Sequence, residues 1–300
     1  MIDASGCLVV PGLIDCHSHV IGGSGEKGWG TASAALSSQE LFAAGITTVV
    51  GLLGTDTTTK TLPSLLGKVK ALRAEGVNAW MWTGGYDART LTGSVRDDIV
   101  MIEEIVGAGE IAIADRRGVH FDARALARLA TDCYVAGTFT GKAGVLHLHT
   151  GELREKLSIV RELLDLGVPA KALHPTHVNR NEELFAEAVE LTGRGVAVDL
   201  DCVEEDLARW WQLFDGDRSL VTISTDAPIG RVGALLDAVR SLPLEESLPL
   251  ATTNPARVLN LHDVGEIAEG KRADLLLLDE KTLELRRVIA AGRTVWTNAT

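Results

Sequence analysis

A chain of 300 residues with 46% hydrophobic content has ample material for a large core, and that content excludes a disordered polymer. Its net charge of -12 argues against a nucleic-acid or anionic-membrane partner, since both need a positive surface. Cys7, Cys16, Cys133 and Cys202 lie far apart with no C-x-x-C pair, no apolar run approaches the ~18 residues of a membrane span, and no signal pattern opens the chain, so a reducing cytoplasm is expected.

Short β-rich runs alternate with helical stretches along the chain. The runs are Cys7–Ile14, Thr47–Leu53, Ala79–Thr83, Ile111–Ala114, Val145–His149, Ala172–Thr176, Val196–Leu200 and Leu220–Ser224. Between them the spacing predicts helices over Ser37–Ala44, Leu62–Glu75, Val95–Val106, Ala123–Val135, Leu153–Leu166, Glu182–Thr192 and Glu204–Phe214. Gly45, Gly76, Gly107, Gly137, Gly167 and Gly193 stand where helix C-termini favour glycine. Strands alternating with helices imply a parallel sheet, and eight such units fit a (β/α)8 TIM-like barrel of ~250 residues. An open doubly wound sheet fits less well, because no strand is followed by G-x-G-x-x-G. After Pro255 the texture changes to turns at Gly265, Gly270 and Gly292, with strand-like Asp274–Leu278 and Thr294–Trp296. The expected division is therefore a barrel over 1–255 and a small C-terminal β appendage over 256–300.

The chemistry begins at Pro11-Gly-Leu-Ile-Asp-Cys-His17-Ser-His19. Residues two apart on a strand point the same way, so His17 and His19 can converge on one ion. The pair ends the first β-run, and barrel active sites are built at the carboxyl ends of strands. Other ends supply similar groups: the fifth run closes in Val145-Leu-His147-Leu-His149, the sixth in His174-Pro-Thr-His177 and the eighth in Ile223-Ser-Thr-Asp226. Imidazole and carboxylate together suit zinc or a similar divalent metal.

This order of groups, with P-G-L-I-D-x-H-x-H first and His, His and Asp after it, resembles the ligand order of the amidohydrolase superfamily. Longer stretches resemble its isoaspartyl (β-aspartyl) dipeptidases: His19-Val-Ile-Gly-Gly-Ser-Gly-Glu26, Val49-Val-Gly-Leu-Leu-Gly-Thr55-Asp56, Trp82-Thr-Gly-Gly-Tyr86, Thr92-Gly-Ser-Val and Pro175-Thr-His177-Val-Asn-Arg180-Asn. The resemblance implies two divalent metal ions, most simply Zn2+, one held by His17 and His19 and the other by His149 and His177. It implies that Asp226 ligates the first metal and acts as general base toward a metal-bridging hydroxide, and that Tyr86 polarises the scissile carbonyl. Glu26 would bind the substrate's ammonium, Arg117 and Arg180 its carboxylates, and Thr55 would add a hydrogen bond. The implied activity is cleavage of the β-linked amide of an isoaspartyl dipeptide, a small-molecule substrate, by a homo-oligomer.

Three departures from that family pattern stand out. Glu110, in Gly107-Ala-Gly-Glu110-Ile-Ala-Ile-Ala-Asp115-Arg-Arg117, takes the place of a carboxylated lysine; its carboxylate can bridge two cations, so no carboxylated lysine is expected. The N-terminal strands that complete a β-sandwich in the family are absent from the sequence, so the C-terminal strands are expected to expose an edge. The loop Ala227-Pro-Ile-Gly-Arg231 puts Gly230 near the position of a substrate-contacting serine. Two rivals follow: another amidohydrolase, acting on a cyclic amide or an N-acyl amino acid, or a metal-binding barrel without activity. Elsewhere, His147 and His174 are expected to face away from the site, His147 packed between barrel and helix. His120 and His262 are expected in loops, and Trp210-Trp211 in helix packing or a subunit contact.

Overall fold

The first β-rich run is two strands with different destinations. In the computed structural model, which describes residues 2–23, 25–202 and 207–298, β1 (Cys7–Pro11) and β2 (Leu13–Ser18) part at Gly12. A Cβ at Gly12 would lie 2.1 Å from Thr47 Oγ1, so only glycine lets the chain pass. From β2 the parallel sheet continues through β3 (Ile46–Gly51), β4 (Asn78–Thr83), β5 (Ile105–Ile113), β6 (Val145–Thr150) and β7 (Leu173–Thr176), in that order. The last two strands, β8 (Val198–Asp201) and β9 (Val221–Ser224), pair in parallel with each other.

Backbone bonds close one seam of the expected barrel, and a side chain bridging to the backbone closes the other. At the β9–β2 seam Asp226 N–H donates to His17 O (3.1 Å) and His19 N–H to Ala227 O (2.6 Å). At the β7–β8 seam Asp201 N–H donates to Asn179 Oδ1 (2.8 Å), whose amide donates back to Asp201 O (2.9 Å).

The surrounding helices start at side-chain caps that satisfy free N–H groups: Ser37 before α1 (Ser38–Ala43), Thr61 before α2 (Leu62–Ala74) and Ser94 before α3 (Val95–Met101). Asp122 caps α4 (Ala123–Thr140), and Asn181 caps α6 (Glu182–Thr192), which follows α5 (Ser158–Asp165). The helix expected over Glu204–Phe214 is described as α7 (Leu207–Leu213), its first residues lying outside the described ones. Its Trp210 and Trp211 are buried against Phe185 and Phe214, as helix packing predicts.

Three helix boundaries differ from expectation, one of them the start of α5 at Ser158 rather than Leu153. The third helix stops at Met101 rather than Val106, because β-branched Ile105 and Val106 enter the buried strand β5. Gly107 therefore packs inside the sheet, where a Cβ would meet Val145 O at 2.3 Å. Gly137 lies within α4, which runs on to a left-handed Gly141, whereas Gly193 ends α6 as expected, with a helical backbone.

The interior of the barrel's amino end holds Ile14, Cys16, Val50, Leu52, Trp82, Val106 and Val145. Ala256, Leu259, Leu261 and Val264 pack in the same buried cluster. After α8 (Ala234–Arg240), α9 (Leu244–Ser247) and α10 (Thr253–Val258), the chain forms β10 (Leu275–Asp279), β11 (Leu285–Ala290) and β12 (Arg293–Thr297). These strands and β1 make an antiparallel sheet ordered β1-β10-β11-β12. The run Cys7–Ile14 thus contributes half to the appendage and half to the barrel. The edge of β10 that the sequence left open is covered by β1, and the sheet ends at β1 and β12.

Candidate metal centre

The carboxyl end of the barrel gathers His17, His19, Glu110, His149, His177 and Asp226, all but Asp226 more than nine-tenths buried. The geometry centres on Glu110. Its Oε2 lies 2.7 Å from His149 Nδ1, 3.6 Å from His17 Nε2 and 3.7 Å from His177 Nε2, and its Oε1 lies 3.6 Å from His19 Nε2. One short carboxylate thus reaches all four imidazoles. The pairing of β5 with β6 shifts register between Ala108 and Ile111, an irregularity that re-aims the side chain at that point. Gly109 keeps the strands close, since a Cβ there would stand 2.7 Å from His147 Cβ.

Asp226 and His177 both lie one or two residues beyond a strand and adopt positive φ, 52° and 59°. Such conformations cost about 1–3 kcal/mol and persist where the surroundings dictate them. Here the Asp226 N–H is tied to His17 O, and neighbouring Thr225 donates to Asp15 Oδ2 (2.5 Å). His177 Nδ1 stands 3.1 Å from Asp201 Oδ2.

The electrostatics favour positive charge at this point. Burial would raise the Glu110 carboxyl, but His17 and His149 hold it well below the ordinary range. Asp226 is likewise held low against its burial by His17 and His19. Burial would depress His177, yet Asp201 and Glu110 push it up to about 10. A cation shared by these groups serves the same carboxylates while leaving the imidazoles neutral. The side chains fit that role on an independent observation: His17 Nε2 and Asp226 Oδ1 are buried without hydrogen-bond partners, although Asp226 Oδ1 lies 2.9 Å from His19 Nε2. Two orphaned ligand atoms of the right chemistry facing one point are what a divalent metal satisfies.

The remaining expected residues line the same cavity of about 500 Å³: Glu26, Thr55, Tyr86, Arg117 and Arg180. Tyr86 Oη lies 2.9 Å from His149 Nε2, and burial together with Glu110 keeps the phenol protonated, well above its ordinary value. Thr55 donates to Glu26 Oε1 (2.9 Å), and Arg117 Nη1 pairs with Glu26 Oε2 at 2.6 Å.

Two expectations fail here. His147 and His174 face into the barrel, not away from it, and are fully buried. His147 and His149 are two apart and share a face, by the same alternation that joins His17 and His19. For His174, counting back from His177 misleads because the strand ends at Thr176 and the positive φ of His177 breaks the alternation. His120 and His262 are exposed loop residues, as expected.

Sequence reasoning also missed Asp115 and Asp201. Asp115 holds Arg117 Nη2 at 2.6 Å and lies 3.2 Å from His149 Nε2. Both stand at or just past the ends of barrel strands, so reading every carboxylate at a strand end, and not histidines alone, would have found them.

Barrel, strand-end histidines and carboxylates, and the cavity they share are the architecture of a hydrolase with a candidate metal centre. A model of the amidohydrolase family matches residues 8–295, and the chain belongs to that family. It is similar to the β-aspartyl dipeptidase of the thermophilic, keratin-degrading Fervidobacterium islandicum AW-1, with 36% identity, TM-score 0.94, and 99% of this chain and 86% of that chain covered. The same enzyme in complex with the β-Asp-Leu dipeptide matches with 35% identity, TM-score 0.91 and coverage of 98% and 86%. An imidazolonepropionase of Ruegeria pomeroyi is 27% identical over 317 residues, 91% of this chain and 79% of that protein. All four cysteines are free, and among the described residues no helix is long and apolar enough to cross a membrane.

Proposed function

We propose that this amidohydrolase holds two divalent metal ions, most simply Zn2+, and cleaves the β-linked amide of isoaspartyl dipeptides. One observation carries the proposal: Glu26, Arg117 and Arg180, a set matched to a zwitterion with two carboxylates, line one cavity with five of the six candidate metal ligands, fully buried His17 grouping with them. His17, His19 and Asp226 would hold one ion and His149 and His177 the other, with Glu110 between them and no carboxylated lysine. When bound, the pair would acidify water and polarise the attacked carbonyl.

The chain's own groups then divide the work. Glu26 and Arg117, paired with each other at 2.6 Å, exchange that contact for the ammonium and a carboxylate of the substrate. Arg180 takes the second carboxylate, and Thr55 keeps Glu26 oriented. Tyr86, protonated, donates to the oxygen that gains charge. Asp226 accepts the proton of the attacking water and returns it to the departing nitrogen, which avoids expelling an amide anion.

A second reading, hydrolysis of a cyclic amide, is supported by the imidazolonepropionase relative and by the loop at Gly230. Turnover of β-Asp-Leu against α-Asp-Leu and dihydroorotate separates them: cleavage of β-Asp-Leu alone is expected, and preference for the cyclic amide overturns the dipeptidase reading. Turnover of none, with both metals bound, would leave a barrel without this activity. The reading includes a cytoplasmic homo-oligomer, checked by light scattering and cell fractionation.

A further inference from the structure

Beneath the metal centre the barrel interior holds a second polar layer that the proposed reaction does not use: Cys16, His147, His174, Asp199 and Thr222, each fully buried. Its hydrogen bonds run in one direction when followed upward from Asp199. That carboxylate, which can only accept, is met by Thr222 Oγ1 (2.5 Å), Ser224 Oγ (2.5 Å), Thr176 Oγ1 (2.7 Å) and Cys16 Sγ (3.3 Å). With its proton committed to Asp199, the Thr222 hydroxyl accepts from His174 Nε2–H (3.0 Å). A neutral His174 is then bare at Nδ1 and accepts from His147 Nδ1–H (3.0 Å). His147 is in turn bare at Nε2 and accepts from His17 Nδ1–H (2.8 Å). His17 is left with its lone pair on Nε2, the orphaned atom that faces Glu110 and Asp226.

Resting on the metal-centre reading above, we propose that Asp199 fixes the tautomer of His17 through Thr222, His174 and His147, so that this ring meets the metal with the Nε2 lone pair. An unconstrained imidazole samples both tautomers, and one of them places a proton where the cation must sit. His147, His174, Thr222 and Asp199 are positioning residues: they touch neither substrate nor metal, and they act by choosing which His17 nitrogen is free. The layer is not a third metal site of its own. Cys16 Sγ, His174 Nε2 and Asp199 Oδ1 cluster closely enough for one, but each is already hydrogen-bonded, unlike His17 Nε2 and Asp226 Oδ1 above them.

The test reads tautomers directly, by ¹⁵N-resolved imidazole NMR of the metal-free protein, and needs no substrate. The expected result is a proton on Nδ1 of His17 and His147 and on Nε2 of His174. A neutral His17 with its proton on Nε2 and Nδ1 bare overturns the proposal. Two variants extend the test through zinc affinity, measured by chelator competition. His147→Gln can accept from His17 and donate to His174, preserving the direction; His147→Leu can do neither. Affinity for one zinc equivalent should fall ~10–100-fold in His147→Leu and stay within about threefold in His147→Gln. Equal zinc affinity in the two variants, whatever their metal-free Tm, also overturns it. Absence of β-aspartyl dipeptidase activity alongside the expected tautomers would fault the substrate reading alone.

Discussion

Two layers inside one barrel are built from the same residue types and differ in what they leave unsatisfied. The upper layer gathers four histidines and two carboxylates at an open cavity lined by all of them except His17, with His17 Nε2 and Asp226 Oδ1 lacking hydrogen-bond partners. The lower layer sets Cys16, His174 and Asp199 just as close together, sealed and fully hydrogen-bonded. Charge separates them too. Carboxylates push His177 up to about 10 above, whereas burial drives His174 down to about 4 below. The lesson is that ligand-type side chains within reach of one another do not make a metal site; orphaned atoms and an unbalanced charge do.

The sharpest way to break the comparison is at Asp226. Asp226→Asn keeps shape and one oxygen for a metal but cannot accept a proton, so kcat should fall ~10²–10⁴-fold with metal content near wild type. Retention of more than a tenth of kcat with both metals bound would reduce Asp226 to a ligand. Next comes Glu110→Ala, which should lose one metal equivalent and most activity, while bicarbonate leaves reconstitution of the wild type unchanged. Full metal occupancy by elemental analysis would remove Glu110 from the bridge. At the cavity wall, Arg180→Met should lower kcat/KM on β-Asp-Leu by at least ~10²-fold, as expected when a substrate carboxylate loses its partner. A change below fivefold places Arg180 outside recognition.

The smallest effect belongs to the lower layer. Cys16→Ala removes one buried hydrogen bond to Asp199 and should cost about 1–2 kcal/mol in denaturant unfolding, without altering metal stoichiometry. Loss of a metal equivalent there would erase the contrast between the layers.

Legibility in the sequence followed the range of the interactions. Strand runs and caps are local, so the barrel and helices such as Glu182–Thr192 could be read to within a few residues. The exceptions mark where distant partners intervened. The spacing over Val95–Val106 predicts one helix because nothing local shows that Ile105 and Val106 join a sheet, and Leu285–Ala290 carries no strand signal of its own because its strand depends on β10. His147 is placed inward by strand alternation alone, since it shares a face with His149.

By itself the sequence determined the kinds of ligand and their placement at strand ends, since alternation and motif spacing are properties of a few consecutive residues. Only the tertiary structure decided which of these groups face one point. Closure of the barrel brings Asp15 and Thr225 together across 210 residues, and with them Asp226 and His17. The irregular pairing at Glu110, the positive φ of His177 and Asp226, and the supporting carboxylates Asp115, Asp199 and Asp201 are set by contacts between strands. Such contacts have no local signature, because each depends on a partner tens to hundreds of residues away.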